Sequence, residues 1–159
     1  MATQQRLLAL AAVLAASSAA GYSAAAAKPP TLKLLEVAHS FVGEDGFNAN
    51  ANKPPAVGQA VAIRGGLYKL VRHKQGARVG GVHVECTFTD STGGSVCVAV
   101  LTLPAGKLVV SGRTPANPTV AYALPIVGGS GRYAHVRGHV AINPIGNSNK
   151  AVDTIVIAG

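Results

Sequence analysis

The sequence predicts an all-β domain built from eight short strands that pair antiparallel. Its 159 residues include 19 Gly and 9 Pro, whereas aromatic residues make up only 4%, and this turn-rich composition is typical of all-β domains. No segment keeps an apolar period of 3.6 residues over three turns, so a helical domain is not indicated. Short strands at this spacing form either a sandwich or a barrel.

Eight apolar runs follow Pro29 and Pro30, and Gly, Pro or Asn stands in each break, as turns require. Most connections are too short for a parallel crossover, which predicts antiparallel neighbours. The long connection from Gly43 to Gly58 is polar and suited to cover a cavity mouth. The predicted strands are Leu32–Val42, Ala60–Val71, Val79–Asp90, Ser95–Leu103, Lys107–Arg113, Thr119–Val127, Arg132–Asn143 and Ala151–Ala158.

Residues 1–27 are predicted to be a secretory signal peptide that precedes the folded domain, residues 28–159. A polar start carrying Arg6 is followed by an apolar run from Leu7 to about Ala16 and then by small residues, the layout of such a peptide. The run is shorter than the roughly 20 residues that a spanning helix needs. We therefore expect a secreted or periplasmic protein with no transmembrane segment.

The charge balance is strongly basic, with 14 Lys and Arg against six acids and a formal charge of +8. The basic residues are scattered along the chain, and few aromatic residues stand between them to stack on bases. A solvated basic surface is therefore favoured over nucleic-acid binding. The same charge suits weak attraction to anionic polymers or lipid headgroups.

Two cysteines, Cys86 and Cys97, are expected to form a disulfide. A hairpin that turns at Ser91 and Thr92 places them directly opposite each other, at a separation that a disulfide tolerates. An exported chain permits such a bond. No metal is predicted, because two thiols are not a full ligand set and the strand spacing of His135 and His139 keeps them roughly 13 Å apart.

The segment PIVGGSGRYAHVRGHVAI, residues 125–142, contains three glycines within four positions. A dinucleotide-binding loop of this kind would be followed by a helix. Here alternating residues follow, which is the period of a strand. Gly128 to Gly131 are therefore predicted to form a tight turn between two strands, and no phosphate site is expected.

This segment resembles the GGTGxFxxARG signature of plant dirigent proteins and of the bacterial proteins related to them and to allene oxide cyclase. Ser130 stands where the signature has Thr. Before Arg137, His135 and Val136 stand where the signature has a variable residue followed by Ala. The resemblance continues upstream through LLEV, VGQAVAIRGGLYKL, VGGVHVECTFT and TLPAGKLVVSG, and so covers nearly the whole domain. It implies an eight-stranded antiparallel β-barrel with an apolar lumen open at one end, and typically a homotrimer.

The resemblance also implies site residues. Glu36 falls where the first strand of allene oxide cyclase carries a carboxylate, and in an apolar lumen it would serve as a proton donor; the alternative is a rim or surface Glu. Arg137 matches the signature arginine, with two roles open: binding an anionic oxygen, or a buried ion pair with Glu85 or Glu36.

Two tyrosines are expected ligand contacts. Tyr68 matches a tyrosine in the second strand of the family and has core packing as its alternative role; Tyr133 lies in the glycine-rich motif itself. Together these expectations describe an exported barrel that binds a small hydrophobic or phenolic molecule and guides its cyclisation or coupling without a cofactor. The alternative is a non-catalytic exported module that binds a small ligand or a cell-surface polymer.

Overall fold

The computed structural model describes residues 30–43, 55–117 and 119–158, and these form one closed barrel of eight strands. Each strand pairs antiparallel with its neighbours in chain order, and β8 pairs with β1 to close the barrel. The strands are β1 (Thr31–Gly43), β2 (Ala60–Val71), β3 (Lys74–Phe88), β4 (Ser95–Leu103), β5 (Gly106–Thr114), β6 (Tyr122–Gly131), β7 (Arg137–Pro144) and β8 (Lys150–Ala158).

The predicted all-β class, strand number and antiparallel pairing are confirmed, and so is the barrel architecture that the family resemblance implied. No helix occurs in the part of the chain that the structure describes. The predicted signal peptide lies outside the described residues, as does most of the long connection before β2.

The β2–β3 connection differs from the prediction. We expected β3 to begin at Val79, whereas it begins at Lys74, directly after a turn formed by Arg72 and His73. Both residues have left-handed backbone angles, with φ of 49° and 64°. Two consecutive positive φ angles give the hairpin turn whose twist matches that of its strands. The predicted end of β2 at Val71 is confirmed, whereas the two-residue length of the turn was not expected because neither position is a Gly.

The glycine cluster was predicted to be the turn between two strands, and this was wrong. Gly128 to Gly131 are the last residues of β6 and pair with β5, whereas the turn itself follows at residues 132–135. A Cβ at Gly129 would overlap the carbonyl oxygen of Tyr133 and lie 2.7 Å from that of Lys107. The glycines therefore let the backbone of the following turn fold directly onto the end of β6.

The two ends of the barrel differ. At one end, which we call the packed end, β1 begins, β8 ends and three hairpins turn, and large apolar side chains fill the interior. At the other, the open end, the interior is a cavity. The side chains that fill the interior toward the packed end include Leu34, Leu67, Leu103, Leu108, Ile126 and Ile155.

The β3–β4 hairpin has the predicted register, with Cys86 opposite Cys97, and a disulfide joins the two residues. Their Cα atoms are 4.1 Å apart. Both side chains face the interior, together with those of Val84 and Ala99 on the same two strands. The disulfide is thus part of the cavity wall.

Candidate functional site

The open half of the barrel encloses a cavity of about 1200 Å³. This volume is ample for one small organic molecule. Most of its wall is apolar because every second residue of each strand points inward and these residues are mainly aliphatic. The apolar wall includes Ala38, Val61, Ile63, Val82, Val84, Ala99, Leu101, Val110, Leu124, Val140 and Ile142.

Two carboxylic acids, Glu36 and Asp153, lie at the inner end of this cavity. Glu36 is on β1 and Asp153 is on β8, and the strand register pairs Glu36 with Ala151 and Asp153 with Leu34. The two acids are therefore diagonal neighbours on the same inward face, within reach of each other's side chains. Their carboxyl groups form a hydrogen bond. We call Glu36 and Asp153 the acid pair.

Burial dominates the electrostatics of the acid pair. It raises the pKa of Glu36 above its ordinary value, although the hydrogen bond with Asp153 acts in the opposite direction. The pKa of Asp153 is raised well above its ordinary value by burial and then by the adjacent Glu36 charge and hydrogen bond. Two carboxylates in contact do not both ionise readily. The pair therefore retains a proton above the pH at which an ordinary carboxyl group releases it.

Asp153 is nearly inaccessible to solvent, with 2% of its surface exposed, yet its Oδ1 atom has no hydrogen-bond partner in the structure. An unpaired polar atom at such a depth is costly in a folded protein. Asp153 is nevertheless one of the residues that line the cavity wall.

Tyr122, at the start of β6, is the third polar residue of the inner site. The register joins Tyr122 to Ile142 on β7 and Ile142 to Asp153 on β8, so the phenol and the acid pair belong to adjoining parts of the wall. Burial, and then the charges of Glu36 and Asp153, raise the pKa of Tyr122 to about 12. The phenol is thus protonated at neutral pH and available as a hydrogen-bond donor.

A second, uncharged polar group lies near the mouth of the cavity. The hydroxyl oxygens of Ser95 and Thr114 are 2.6 Å apart, and both lie close to Cys97 Sγ, at 3.6 and 3.7 Å. Ser95 begins β4 and Thr114 ends β5, which places both at the open end. The cavity therefore has polar groups at its inner end and at its mouth, with an apolar wall between them.

Of the residues predicted to form a site, Glu36 is part of the cavity wall and the other three are not. Arg137 is exposed at the start of β7, at the packed end. Tyr133 is in the β6–β7 turn and packs against the core there. The ring of Tyr68 covers Gly66, and its hydroxyl lies 3.4 Å from His39 Nε2. The catalytic or ligand-binding roles expected for these three residues have no support in the cavity geometry.

The ion pair considered for Arg137 is likewise not formed with a described residue. Glu85, on the outer face of β3, instead lies 3.0 Å from His83 Nε2. Glu36 is hydrogen-bonded to Asp153. Arg137 therefore contributes neither to the acid pair nor to the cavity wall.

Asp153 and Tyr122 were missed in the sequence, although each carries a recognisable signal. Asp153 shares the face of its strand with Ala151 and Ile155, so an acid interrupts an otherwise apolar alternation. Tyr122 similarly shares the face of its strand with Leu124, which is buried. An ionisable or phenolic group on the apolar face of a strand marks a side chain that points into the barrel.

Within the described ranges, no three His, Cys, Asp or Glu side chains are grouped as metal ligands would be. Nor do the described residues include a helix long and apolar enough to cross a membrane.

Comparison with known proteins identifies the fold. No family model matches the sequence, and no curated protein matches it at a significant level. Solved structures do match: pyocyanin demethylase aligns with 81% of this chain and 100% of its own, at 19% identity and a TM-score of 0.62. AbnU, an exo-specific intermolecular Diels–Alderase, aligns with 82% of this chain and 98% of its own, at 16% identity and a TM-score of 0.64.

The pterocarpan synthase dirigent protein GePTS1 aligns with 82% of this chain and 88% of its own, at 18% identity and a TM-score of 0.62. At such identities the similarity concerns the fold and leaves the activity open. The described residues therefore have the eight-stranded barrel fold of the allene oxide cyclase and dirigent type.

Proposed function

We propose that this protein binds a small hydrophobic or phenolic molecule in the barrel cavity and guides its cyclisation or coupling. The observation that carries the proposal is the acid pair, Glu36 and Asp153, at the inner end of an otherwise apolar cavity. Buried ionisable groups with raised pKa values are costly to fold around and are concentrated at functional sites.

The acid pair is suited to a ring closure in which the product is an isomer of the substrate. A protonated carboxyl donates its proton to a carbonyl oxygen of the guest, while the neighbouring carboxylate accepts the proton of the attacking hydroxyl. Afterwards the hydrogen bond between Glu36 and Asp153 lets the proton return to its original carrier. The cycle consumes no proton and needs no cofactor. Tyr122 adds a phenolic donor for the same oxygen.

The apolar wall supplies the other part of the proposed mechanism. A cavity that fits one conformer of a flexible guest holds its reacting atoms together and lowers the entropic part of the barrier. The wall also excludes water, which would otherwise quench a reactive intermediate. Two matched barrels are a Diels–Alderase and a pterocarpan synthase dirigent protein, and both names denote ring formation. This similarity supports the proposed reaction class, and the buried position of the acid pair supports the roles proposed for Glu36 and Asp153.

We also propose that the protein works in an oxidising compartment outside the cytosol. The Cys86–Cys97 disulfide supports this, because such bonds persist mainly in exported proteins. It agrees with the signal peptide predicted from residues 1–27.

The test compares Glu36→Gln with Glu85→Gln. Glu85 lies on the outer face of β3, so its variant makes the same chemical change away from the cavity. Each purified protein is offered phenolic, enone and epoxide substrates, and products are resolved by chiral chromatography. We expect Glu36→Gln to lose about a hundredfold or more in turnover while retaining the guest in native mass spectrometry, and Glu85→Gln to behave as the parent.

Full activity in Glu36→Gln would overturn the assignment of the acid pair. A guest retained by the parent without conversion of any substrate would instead support the non-catalytic binding module.

A further inference from the structure

The packed end of the barrel is the most basic surface of the described chain. Eight exposed Lys and Arg side chains lie in the packed half: on β1, at the β2–β3 hairpin, beside the β4–β5 turn and at the β6–β7 turn. We call these residues the basic end: Lys33, Lys69, Arg72, Lys74, Arg78, Lys107, Arg132 and Arg137.

No described acid offsets this charge. The described acids are Glu36 and Asp153, which line the cavity, Glu85 in the open half of β3, and Asp90 in the β3–β4 turn at the open end. None of the eight cations forms an ion pair with another described residue. Mutual repulsion among so many unpaired cations favours binding of an anionic partner that neutralises them.

We propose that the basic end docks on the surface of an anionic lipid bilayer. The cations are distributed over separate hairpins that all turn at the same end of one rigid barrel. A plane can contact these turns together, and each Lys or Arg near an anionic bilayer adds to its attraction. This activity goes beyond the proposed chemistry in the cavity and does not depend on it.

Apolar side chains at the same end favour a bilayer over a nucleic acid. Leu32 and Val71 are 41% and 53% exposed, and each stands directly before a cation, Lys33 or Arg72. An aliphatic side chain beside a cation suits the boundary between headgroups and acyl chains. Single-stranded nucleic acids instead call for exposed aromatic rings, and the ring of Tyr133 at this end is half-buried against the core.

This orientation has a consequence for the cavity. Because the mouth is at the opposite end of the barrel from the basic end, docking leaves it facing the aqueous phase. A guest can then enter or leave without displacing the protein from the bilayer.

The experiment measures co-sedimentation with vesicles of the folded domain, residues 28–159, without the predicted signal peptide. Vesicles of phosphatidylcholine alone are compared with vesicles of phosphatidylcholine and phosphatidylglycerol, over a series of salt concentrations. We expect binding to the anionic vesicles only, with a steep decrease as salt rises. Binding that is equal on both vesicles, or that does not depend on salt, would overturn the proposal.

Two triple variants with the same net charge separate the basic end from the overall charge. The first carries Arg72→Glu, Lys74→Glu and Arg132→Glu; the control carries Arg64→Glu, Arg113→Glu and Lys150→Glu, which lie outside the basic end. Loss of three cations near the bilayer predicts at least about a tenfold weaker binding for the first variant, and a smaller effect for the control. Equal loss in both would contradict the proposal.

A soluble polyanion provides the remaining comparison. The parent protein is titrated with duplex DNA and with heparin at the salt concentration used for the vesicles. Weaker binding to both than to anionic vesicles supports the lipid surface. Binding to either polymer that is as tight as binding to the vesicles would show that the basic end recognises anionic polymers in general and would overturn the commitment to a bilayer.

Discussion

The carboxyl groups of Glu36 and Asp153 share a hydrogen bond, although one residue stands on the first strand of the barrel and the other on the last. Closure of the barrel by β1 and β8 brings them together. Each acid alone in an apolar cavity would be costly, whereas a pair that retains one proton satisfies part of its hydrogen-bonding capacity without two buried charges. The pairing of β1 with β8 that closes the barrel therefore also assembles the acid pair.

The first prediction concerns the pH dependence of stability. Because the pKa of Asp153 is raised in the folded state, the native protein binds a proton that the unfolded chain has released above the ordinary Asp pKa. This contribution is present at low pH and is lost as pH rises through the folded pKa. Asp153→Asn mimics the protonated form, so its melting temperature should exceed that of the parent most at high pH, and the difference should shrink in acid. Thermal melts across pH measure this, and a constant difference would contradict it.

The second prediction tests the cavity. Ala99 is buried on its inner wall, and Ala99→Phe would place a ring in the space that a guest occupies. We expect binding of an apolar naphthylamine dye, followed by fluorescence, to weaken by about tenfold or more. Val98→Phe is the control, because Val98 is on the outer face of the same strand and 44% exposed. Similar dye binding by both variants would show that the dye does not enter the barrel.

The third prediction compares two adjacent glycines of β6. Gly129→Ala would drive a methyl group into the backbone of Tyr133, whereas a Cβ at Gly128 meets nothing closer than Val109 at 3.9 Å. Overpacking against backbone should lower the free energy of unfolding by about 2 kcal/mol in Gly129→Ala, with little change in Gly128→Ala. Urea denaturation of both variants measures the difference. Equal stabilities would refute the close approach at Gly129.

The fourth prediction concerns the Cys86–Cys97 disulfide. Replacing both cysteines by Ala should lower the free energy of unfolding by about 3 kcal/mol, because the unfolded chain regains the freedom of the loop that the bond closes. Denaturation with and without a reducing agent provides the control, since reduction should destabilise the parent and leave the double variant unchanged. A parent that is insensitive to complete reduction would contradict this expectation.

Much of the fold could be predicted because its determinants are local. Turn residues and period-two alternation indicated eight strands, and the position of the β3–β4 turn fixed the register of Cys86 and Cys97. A turn was predicted after Val71, but its two-residue length was not, because neither Arg72 nor His73 is the Gly that such a turn usually contains. The glycine cluster was misplaced because its space requirement comes from Tyr133 and Lys107 in neighbouring segments.

The site was only partly predictable because it depends on contacts between distant segments. Glu36 was expected in the lumen from the family resemblance, with a rim or surface position as the alternative. Its partner Asp153 is specified by the β1–β8 pairing, which no local pattern encodes. Arg137 and Tyr133 were expected at the site from their motif, yet a motif gives a position in the chain without saying at which end of the barrel it lies. The structure places both at the packed end.

The most direct measurement of the central claim follows the carboxyl carbons by NMR in protein labelled with ¹³C at Asp and Glu side chains. We predict that the Asp153 carboxyl keeps the chemical shift of a protonated acid above the pH range in which an ordinary Asp titrates, and that its titration moves to lower pH in Glu36→Gln. Titration of the Glu36 and Asp153 carboxyls at their ordinary values, about 3.9 to 4.3, would contradict a shared proton at the inner end of the cavity.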